Sequence, residues 1–340
     1  MKLTKRTVTV ITAAAAGLAV TAAGPAAAAA PATQAAPAGV GVTATIPVGD
    51  SPIGVATDQR TNAIYVANSV SGSVSVISGL TNTVIATVPV GTNPEAIAAD
   101  PDTNTVYTAN YESATVSAIS GQTNTVTDTI PVGAYPVSIA ADPATDTIYV
   151  GNNISASSGT VSVINGSTGT VTATIPVAAA PGGIAVDPTT NTVYVSSAEA
   201  SEVSVISGQT DSVTATVAVG LTPEGVAVDA PTNTVYVTSE HDNTVSVISG
   251  QTDTVTATVA VGRLPEGIAT DARTDTIYVT NSFISNNKPR TVSVINGSTN
   301  AVTATVSVGV EPIGVATDPL TNSIYVANTQ SDTVSVLTHS

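Results

Sequence analysis

The chain of 340 residues contains no cysteine, no tryptophan, one phenylalanine and only two histidines. Without cysteine the protein can form neither a disulfide bond nor a reactive thiolate, so its stability must come from burial of apolar surface. Without tryptophan it is poor in the flat aromatic surfaces on which sugar rings stack. The sequence also lacks the spacings of metalloprotease, serine hydrolase, P-loop and EF-hand motifs. No catalytic residue is therefore predicted.

Basic residues are scarce, and three of the eight lie at the N-terminus as Lys2, Lys5 and Arg6. An apolar stretch over 8–20 and an alanine-rich stretch ending near residue 30 follow them, which is the order of a Sec signal peptide over 1–30. Residues 31–41 are rich in proline and alanine and predict a lead-in without regular structure. No later run of 18 or more apolar residues occurs, so we expect a secreted or cell-surface protein without a transmembrane segment.

The remaining chain is strongly acidic. After removal of the predicted signal peptide it has 24 acidic and 5 basic side chains, a net charge of about −19. A negative field of this size repels phosphate groups, which argues against nucleic acid and anionic lipid as partners. The same field favours cations and cationic partners.

One sequence unit recurs seven times, with its tyrosine at positions 65, 107, 149, 194, 236, 278 and 325. A spacing of 42 to 47 residues without helical periodicity is typical of a repeated four-stranded sheet. In the copy at 223–262 the strands, named a to d, are predicted in GVAVD, TVYVT, TVSVIS and TVTATVAV, which are rich in β-branched residues. The sequence therefore predicts an all-β fold, a seven-bladed β-propeller of four-stranded antiparallel blades, as a single domain over 42–340.

The chain begins with the end of a unit and stops before completing one. Segment 42–48 matches strand d, whereas the last copy contains only strands a, b and c and ends with a strand-c segment at 333–338. We therefore expect the N-terminal strand to complete the last blade by pairing with 333–338. This pairing would close the ring and remove two free sheet edges.

The repeated cores IYVAN, VYVTS and IYVTN, each followed by TVSVIS or TVSVIN, resemble the YVTN family of β-propeller repeats over about residues 42–338. The resemblance implies an exported bacterial or archaeal propeller, as in surface-layer proteins, without one activity shared by the family. A more distant similarity links the family to propeller lyases such as virginiamycin B lyase, which use histidines, a glutamate and magnesium. No matching set of histidines occurs here, which weakens an enzymatic expectation.

Residues that recur in every unit are interpreted as structural. They are the seven tyrosines of strand b and the seven aspartates that end strand a, at positions 58, 100, 142, 187, 229, 271 and 318. Residues that break the repeat are more informative, because loops on a rigid scaffold often carry binding sites.

The irregular residues concentrate on one side of the predicted propeller. All eight glutamates, the insertions at 151–159 and 281–290, and Tyr111, Tyr135 and Phe283 fall in or beside the d–a and b–c loops. These loops open on the same face, which we call the variable face. The a–b and c–d turns form the opposite, uniform face.

Two patches of candidate binding residues follow from this distribution. The first joins the second and third blades and contains Glu95, Tyr111, Glu112, Tyr135 and the insertion at 151–159. The second spans the fourth to sixth blades and contains Glu202, Glu224, Glu240, His241, Asp242, Arg263, Glu266, Lys288 and Arg290. Glu95, Glu224 and Glu266 occupy one repeat position just before strand a, so we expect them to line the mouth of the central channel. Like charges there would raise carboxyl pKa values or recruit a cation.

Two functions agree with these patterns. The first is a monomeric secreted scaffold that binds a protein or cell-envelope component through the variable face. The alternative is a metal-assisted lyase or hydrolase around blades 4 to 6, with Glu224, His241 and Glu266 as candidate ligands of a divalent cation. No other cofactor is indicated. A solvated face of polar loops, without any site, also agrees with the second patch.

Overall fold

The computed structural model describes residues 39–155, 158–283 and 290–339. Within these residues, 28 β-strands form seven four-stranded antiparallel sheets, and the one further regular element is a 3₁₀ turn at Ala230–Thr232. The first strands of neighbouring sheets pack against one another around a closed ring. The protein is a seven-bladed β-propeller, as predicted. No helix in the described part of the chain is long and apolar enough to cross a membrane.

Each blade has strands a to d in order from the central channel outward. Strand a of blades 1 to 7 is β2 (Pro52–Asp58), β6 (Pro94–Asp100), β10 (Pro136–Asp142), β14 (Pro181–Asp187), β18 (Pro223–Asp229), β22 (Pro265–Asp271) and β26 (Pro312–Asp318). Strand b is β3 (Ala63–Asn68), β7 (Thr105–Asn110), β11 (Thr147–Ser155), β15 (Thr192–Ser197), β19 (Thr234–Ser239), β23 (Thr276–Asn281) and β27 (Ser323–Asn328). Strand c is β4 (Ser73–Ser78), β8 (Thr115–Ser120), β12 (Ser158–Asn165), β16 (Glu202–Ser207), β20 (Thr244–Ser249), β24 (Thr291–Asn296) and β28 (Thr333–His339). Strand d is β5 (Thr83–Pro89), β9 (Thr125–Pro131), β13 (Thr170–Val177), β17 (Ser212–Ala218), β21 (Thr254–Ala260), β25 (Ala301–Ser307) and, for blade 7, β1 (Val40–Pro47).

The N-terminal strand closes the ring. β1 pairs antiparallel with β28, with Ile46 opposite Val334 and Val40 opposite His339. Beyond the strand, Val48 N donates to the backbone oxygen of Asp332 at 3.0 Å. This confirms the predicted pairing, although β1 begins at Val40, two residues before the expected boundary. The predicted signal peptide and residues 31–38 of the lead-in lie outside the described residues.

The hydrophobic core lies between the blades. In one cluster Tyr194 and Val205 of the fourth blade pack against Val226 and Val237 of the fifth. The strand-b tyrosines are at most 2% exposed. Because flat sheets stack face to face, compact β-branched side chains and one tyrosine per blade fill each interface.

The repeated aspartates stabilise the a–b turns. Asp58 Oδ1 accepts a hydrogen bond from Arg60 N at 2.9 Å, and Asp58 Oδ2 accepts one from Thr61 Oγ1 at 2.8 Å. Asp318 makes the same pair of bonds in the last blade. The interpretation of the repeated aspartates as structural is therefore confirmed.

Backbone hydrogen bonds join the loops of each face. In the fifth blade Glu240 N of the b–c loop donates to Thr222 O of the d–a loop at 3.0 Å. On the opposite side Gly250 N of the c–d turn donates to Asn233 O of the a–b turn at 2.9 Å. The variable and uniform faces are thus formed by the loops predicted for them.

Candidate functional site at the channel mouth

A β-bulge near the start of strand a places side chains at the mouth of the channel. In the fifth blade Glu224 and Gly225 both lie opposite Thr238, and the sixth blade has the same irregularity. An extra residue of this kind bends the strand and redirects a side chain. As a result, Glu95, Glu224 and Glu266 are the second residues of strand a. This corrects the prediction that they precede it.

A hydroxyl group of strand b ties each of these bulges to the next blade. Thr238 Oγ1 accepts a hydrogen bond from Gly225 N and donates one to the backbone oxygen of Glu266, both at 2.8 Å. In the fourth blade Ser196 Oγ donates in the same way to the backbone oxygen of Glu224 at 2.6 Å. The backbone of both glutamates is therefore held from the preceding blade.

Glycine is required at these bulges because neighbouring strands approach within backbone contact. A Cβ atom at Gly225 would lie 2.4 Å from the backbone oxygen of Glu266, and one at Gly183 would lie 2.5 Å from that of Glu224. Gly182 leaves room beside the Glu224 side chain, since a Cβ atom there would lie 3.0 Å from Glu224 Oε2. The close approach of the backbones determines the width of the mouth.

The seven bulges surround a cavity of about 420 Å³, which we call the mouth cavity. Around its ring the residue after the strand-a proline is, from blade 1 to blade 7, Ile53, Glu95, Val137, Gly182, Glu224, Glu266 and Ile313. Glu240 of a b–c loop also lines the cavity. The predicted position of the three ring glutamates at the channel mouth is confirmed.

Burial, together with the negative charges of Glu240 and Glu266, raises the pKa of Glu224 to about 8, and burial is the largest of these causes. No described residue donates a hydrogen bond to the Glu224 carboxylate. The carboxyl group thus lies at the wall of the cavity, largely surrounded by protein, and no described residue is its hydrogen-bond donor.

Burial also raises the pKa of Glu266, to about 7. Ser282 Oγ donates to Glu266 Oε1 at 2.6 Å and offsets part of this increase, whereas the charges of Glu240 and Glu311 add to it. The expectation of raised carboxyl pKa values at the mouth is confirmed for Glu224 and Glu266. These two groups can take up or release a proton near neutral pH.

Glu240 reaches the cavity because of its place in the b–c loop. It follows β19 directly, as Ser282 follows β23 in the next blade. Both residues donate their backbone N–H to a d–a loop oxygen at 3.0 Å, Glu240 to Thr222 and Ser282 to Leu264. Ser282 faces Glu266 from this position, and the equivalent position brings Glu240 toward Glu224.

The first predicted patch contains an aromatic pair. The ring centres of Tyr111 and Tyr135 lie 5.1 Å apart with planes at 40°. Tyr135 is 47% exposed and has a φ angle of 54°, in the left-handed region that bulky residues rarely adopt. Glu112 lies nearby in the b–c loop and is exposed, while Glu95 points to the mouth cavity and accepts from Asn93 Nδ2 at 3.5 Å.

The second predicted patch does not form one site. His241 is exposed, and its Nδ1 lies 2.6 Å from Thr222 Oγ1. Asp242 Oδ2 accepts a hydrogen bond from Leu221 N at 2.7 Å and so stabilises the d–a loop. Glu202 is the first residue of β16, away from the mouth cavity.

Arg263 and Arg290, the described basic residues of this patch, do not line the mouth cavity. The Arg263 guanidinium carbon stands 3.8 Å from the ring centre of Phe283, a cation–π contact. Arg290 lies directly before β24 and is half-buried. Lys288 lies outside the described residues.

The predicted divalent-cation site is not assembled from the described side chains. Within the described ranges, no group of three or more histidine, aspartate and glutamate residues is arranged to hold a metal ion. Glu224 and Glu266 line the mouth cavity, whereas His241 does not. The metal site remains a prediction.

Several residues of this site were missed in the sequence. Ser196, Thr238 and Thr280 look like ordinary strand residues, and the repeat alone does not show that their hydroxyl groups bridge two blades. Ser282 was missed for a similar reason. A usable signal was present, since hydroxyl residues occupy this strand-b position only in blades 4 to 6.

Comparison with known proteins supports the assignment of the propeller fold. The chain is similar in structure to a chain of Kuenenia stuttgartiensis hydrazine synthase, with a TM-score of 0.73 and 19% sequence identity, over 84% of this chain and 95% of that one. At this identity the similarity shows the propeller fold alone. No protein-family model matches the chain, and no curated protein matches it. The YVTN resemblance therefore remains a prediction.

Proposed function

We propose that this chain is a secreted or cell-surface propeller of the YVTN type, and that it binds a protein or cell-envelope component through its variable face. The observation that carries the proposal is the contrast between the two faces. The variable face has the acidic mouth cavity, the aromatic pair of Tyr111 and the exposed Tyr135, and the b–c loops in which the sequence has its two insertions. The uniform face repeats one short turn in every blade.

The rigid ring supports a binding role of this kind. Its strands are fixed by interblade packing and by strand β1, so the loops can differ in sequence without loss of the fold. The N-terminal pattern supports export, and the net charge of about −19 favours a cationic partner or a partner with cationic groups.

The alternative is a metal-assisted lyase or hydrolase at the same face. The observation in its favour is that Glu224 and Glu266, with pKa values of about 8 and 7, share one cavity. Carboxyl groups of this kind can serve as general acid or base near neutral pH. The alternative still requires a metal ligand set, for which His241 was the sequence candidate.

The test is capture of cell-envelope material by the purified protein. Two variants alter the variable face, Tyr111→Ala with Tyr135→Ala, and Glu224→Gln with Glu266→Gln. The matched control variants are Leu80→Ala and Leu320→Ala on the uniform face, where the side chains are 83% and 62% exposed. We expect one defined component to be captured by the wild-type and control proteins.

Loss of this component with either variable-face variant supports the binding proposal. Equal capture by all variants, or loss only with the uniform-face variants, contradicts it. Cleavage of the captured component over time, abolished by Glu224→Gln, would favour the lyase or hydrolase instead.

A further inference from the structure

We propose that the mouth cavity binds a primary ammonium group attached to an apolar chain, such as a lysine side chain of a partner or a free alkylamine. This inference rests on the proposed binding role of the variable face and names the chemistry of its central site. It follows from the shape of the cavity, the distribution of its charges and the unpartnered carboxyl group of Glu224.

The ring position that lines the cavity holds both acidic and apolar side chains. Glu224 and Glu266 come from neighbouring blades, and Glu240 influences the charge of both. At the same ring position Ile313 and Ile53 follow Glu266 around the ring, and Glu95 and Val137 lie across from Glu224 and Glu266. A ligand that fills such a cavity needs a cationic end and a hydrocarbon body.

No described basic side chain lines the cavity beside the glutamates. Protein surrounds the Glu224 carboxyl group, and no described residue donates a hydrogen bond to it. Arg263 is the described basic residue nearest in sequence to Glu266, and its side chain contacts the ring of Phe283. Because residue 182 is glycine, no side chain crowds Glu224 Oε2, from which a Cβ atom there would lie only 3.0 Å. A ligand ammonium group can approach the carboxyl group from the cavity that Glu224 lines.

The arrangement favours an ammonium group over a metal ion. A metal ion needs several ligand atoms at about 2.0–2.6 Å from one point, and no described group of three acidic or histidine side chains provides this. An ammonium group has three hydrogen-bond donors, each with a longer reach of about 2.7–2.9 Å. It can therefore join carboxylates that stand too far apart to share a metal ion.

Binding would displace the protons that Glu224 and Glu266 retain near neutral pH. Affinity for an ammonium probe should therefore increase with pH until both carboxyl groups are ionised, above about pH 8. n-Butylammonium is a suitable probe because alkylammonium groups, like lysine, keep their charge up to about pH 10. Between pH 7 and pH 5 the affinity should fall about tenfold per pH unit for each carboxyl group that must be ionised to bind the probe.

The experiment is titration of the purified protein with n-butylammonium chloride at pH 6, 7.5 and 9, followed by isoleucine methyl NMR. Parallel titrations use n-butanol, potassium chloride, magnesium chloride and a short capped peptide with one lysine. We expect saturable shifts of the Ile53 and Ile313 methyl signals at millimolar n-butylammonium or lysine peptide. The affinity should be at least tenfold higher at pH 9 than at pH 6.

Variants test whether the carboxyl groups of Glu224 and Glu266 bind the ammonium probe. Glu224→Gln and Glu266→Gln should each weaken binding at least tenfold, whereas Glu199→Gln, which alters an exposed residue outside the cavity, should leave it unchanged. Binding of the lysine peptide alone would identify a partner side chain as the source of the ammonium group, and binding of both probes would include free amines. Both results support the inference.

Three results overturn it. The first is equal shifts with butanol or potassium chloride, and the second is saturable magnesium binding without ammonium binding. The third is binding that both glutamine variants retain. Capture of envelope material can succeed or fail independently of these titrations, so a failure of this inference is distinguishable from a failure of the proposed binding role.

Discussion

Tyr278 Oη and His339 Nε2 lie 2.5 Å apart, and this contact joins the sixth blade to the strand at which the chain ends. In other blades the strand-b tyrosine reaches the c–d turn of the next blade, as Tyr325 Oη does when it donates to Asn82 Oδ1 at 3.2 Å. The seventh blade has no c–d turn, because its strand d comes from the N-terminus. His339 takes the place of that turn.

We expect His339→Ala to lower the free energy of unfolding by about 1–3 kcal/mol, because the buried hydroxyl group of Tyr278 loses its partner. The control is His241→Ala, which alters an exposed loop residue and should change the stability by less than about 0.5 kcal/mol. Urea unfolding of both variants measures the difference. Equal stabilities would show that the Tyr278–His339 contact contributes nothing to closure.

Deletion of β1 tests closure of the ring. Without residues 40–47, strand β28 loses a complete ladder of backbone hydrogen bonds and its edge becomes exposed. We expect aggregation or a large decrease in melting temperature, measured by circular dichroism and light scattering. A variant that lacks only residues 31–38 should melt like the parent protein. If both deletions melt alike, β1 does not hold the ring together.

The raised pKa values of Glu224 and Glu266 predict a pH dependence of stability. Because both lie above the ordinary value of 4.5, the folded protein keeps protons that the unfolded chain releases. The contribution of these two carboxyl groups to the free energy of unfolding is therefore complete below about pH 4.5. It is lost as the pH rises to about 8, by up to about 1.4 kcal/mol per pH unit for each group.

Urea unfolding between pH 5 and pH 9 measures this dependence. The double variant Glu224→Gln with Glu266→Gln should gain stability relative to the parent protein as the pH rises to 8, whereas Glu112→Gln should follow the parent. A stability difference that does not vary with pH would contradict the assigned protonation.

Gly225→Ala tests the close approach of the blades at the mouth. The new Cβ atom would lie 2.4 Å from the backbone oxygen of Glu266, so the strands must separate, and we expect a loss of about 2 kcal/mol or more. Gly41→Ala is the matched control, since no atom lies within 4 Å of a Cβ atom there. Similar unfolding free energies for the two variants would mean that the strands at the mouth can move apart without the expected loss of stability.

The sequence predicted the ring of blades and its closing strand because both depend on a repeat that is visible in the residues themselves. It also predicted that Glu224 and Glu266 lie at the mouth, since they share one repeat position. Their place within the strand was not predicted, because a β-bulge depends on the register of two strands rather than on one.

Other parts of the site depend on contacts between blades. Glu240 and His241 are neighbours in the predicted second patch, yet of the two only Glu240 lines the cavity, which the sequence alone does not show. The role of Thr238 was missed because it requires the position of the next blade's backbone. The last strand was predicted over 333–338, whereas β28 extends to His339, which pairs with Val40 of the closing strand.

The main proposal for this protein is that it binds its partner through the variable face. The most direct measurement places one photoreactive amino acid at Tyr135, on the variable face, or at Leu80, on the uniform face, where the side chains are 47% and 83% exposed. Each protein is incubated with cell-envelope material, irradiated and analysed by mass spectrometry. The account predicts a specific crosslinked component at Tyr135 and none at Leu80, and the same component crosslinked at Leu80 alone would contradict it.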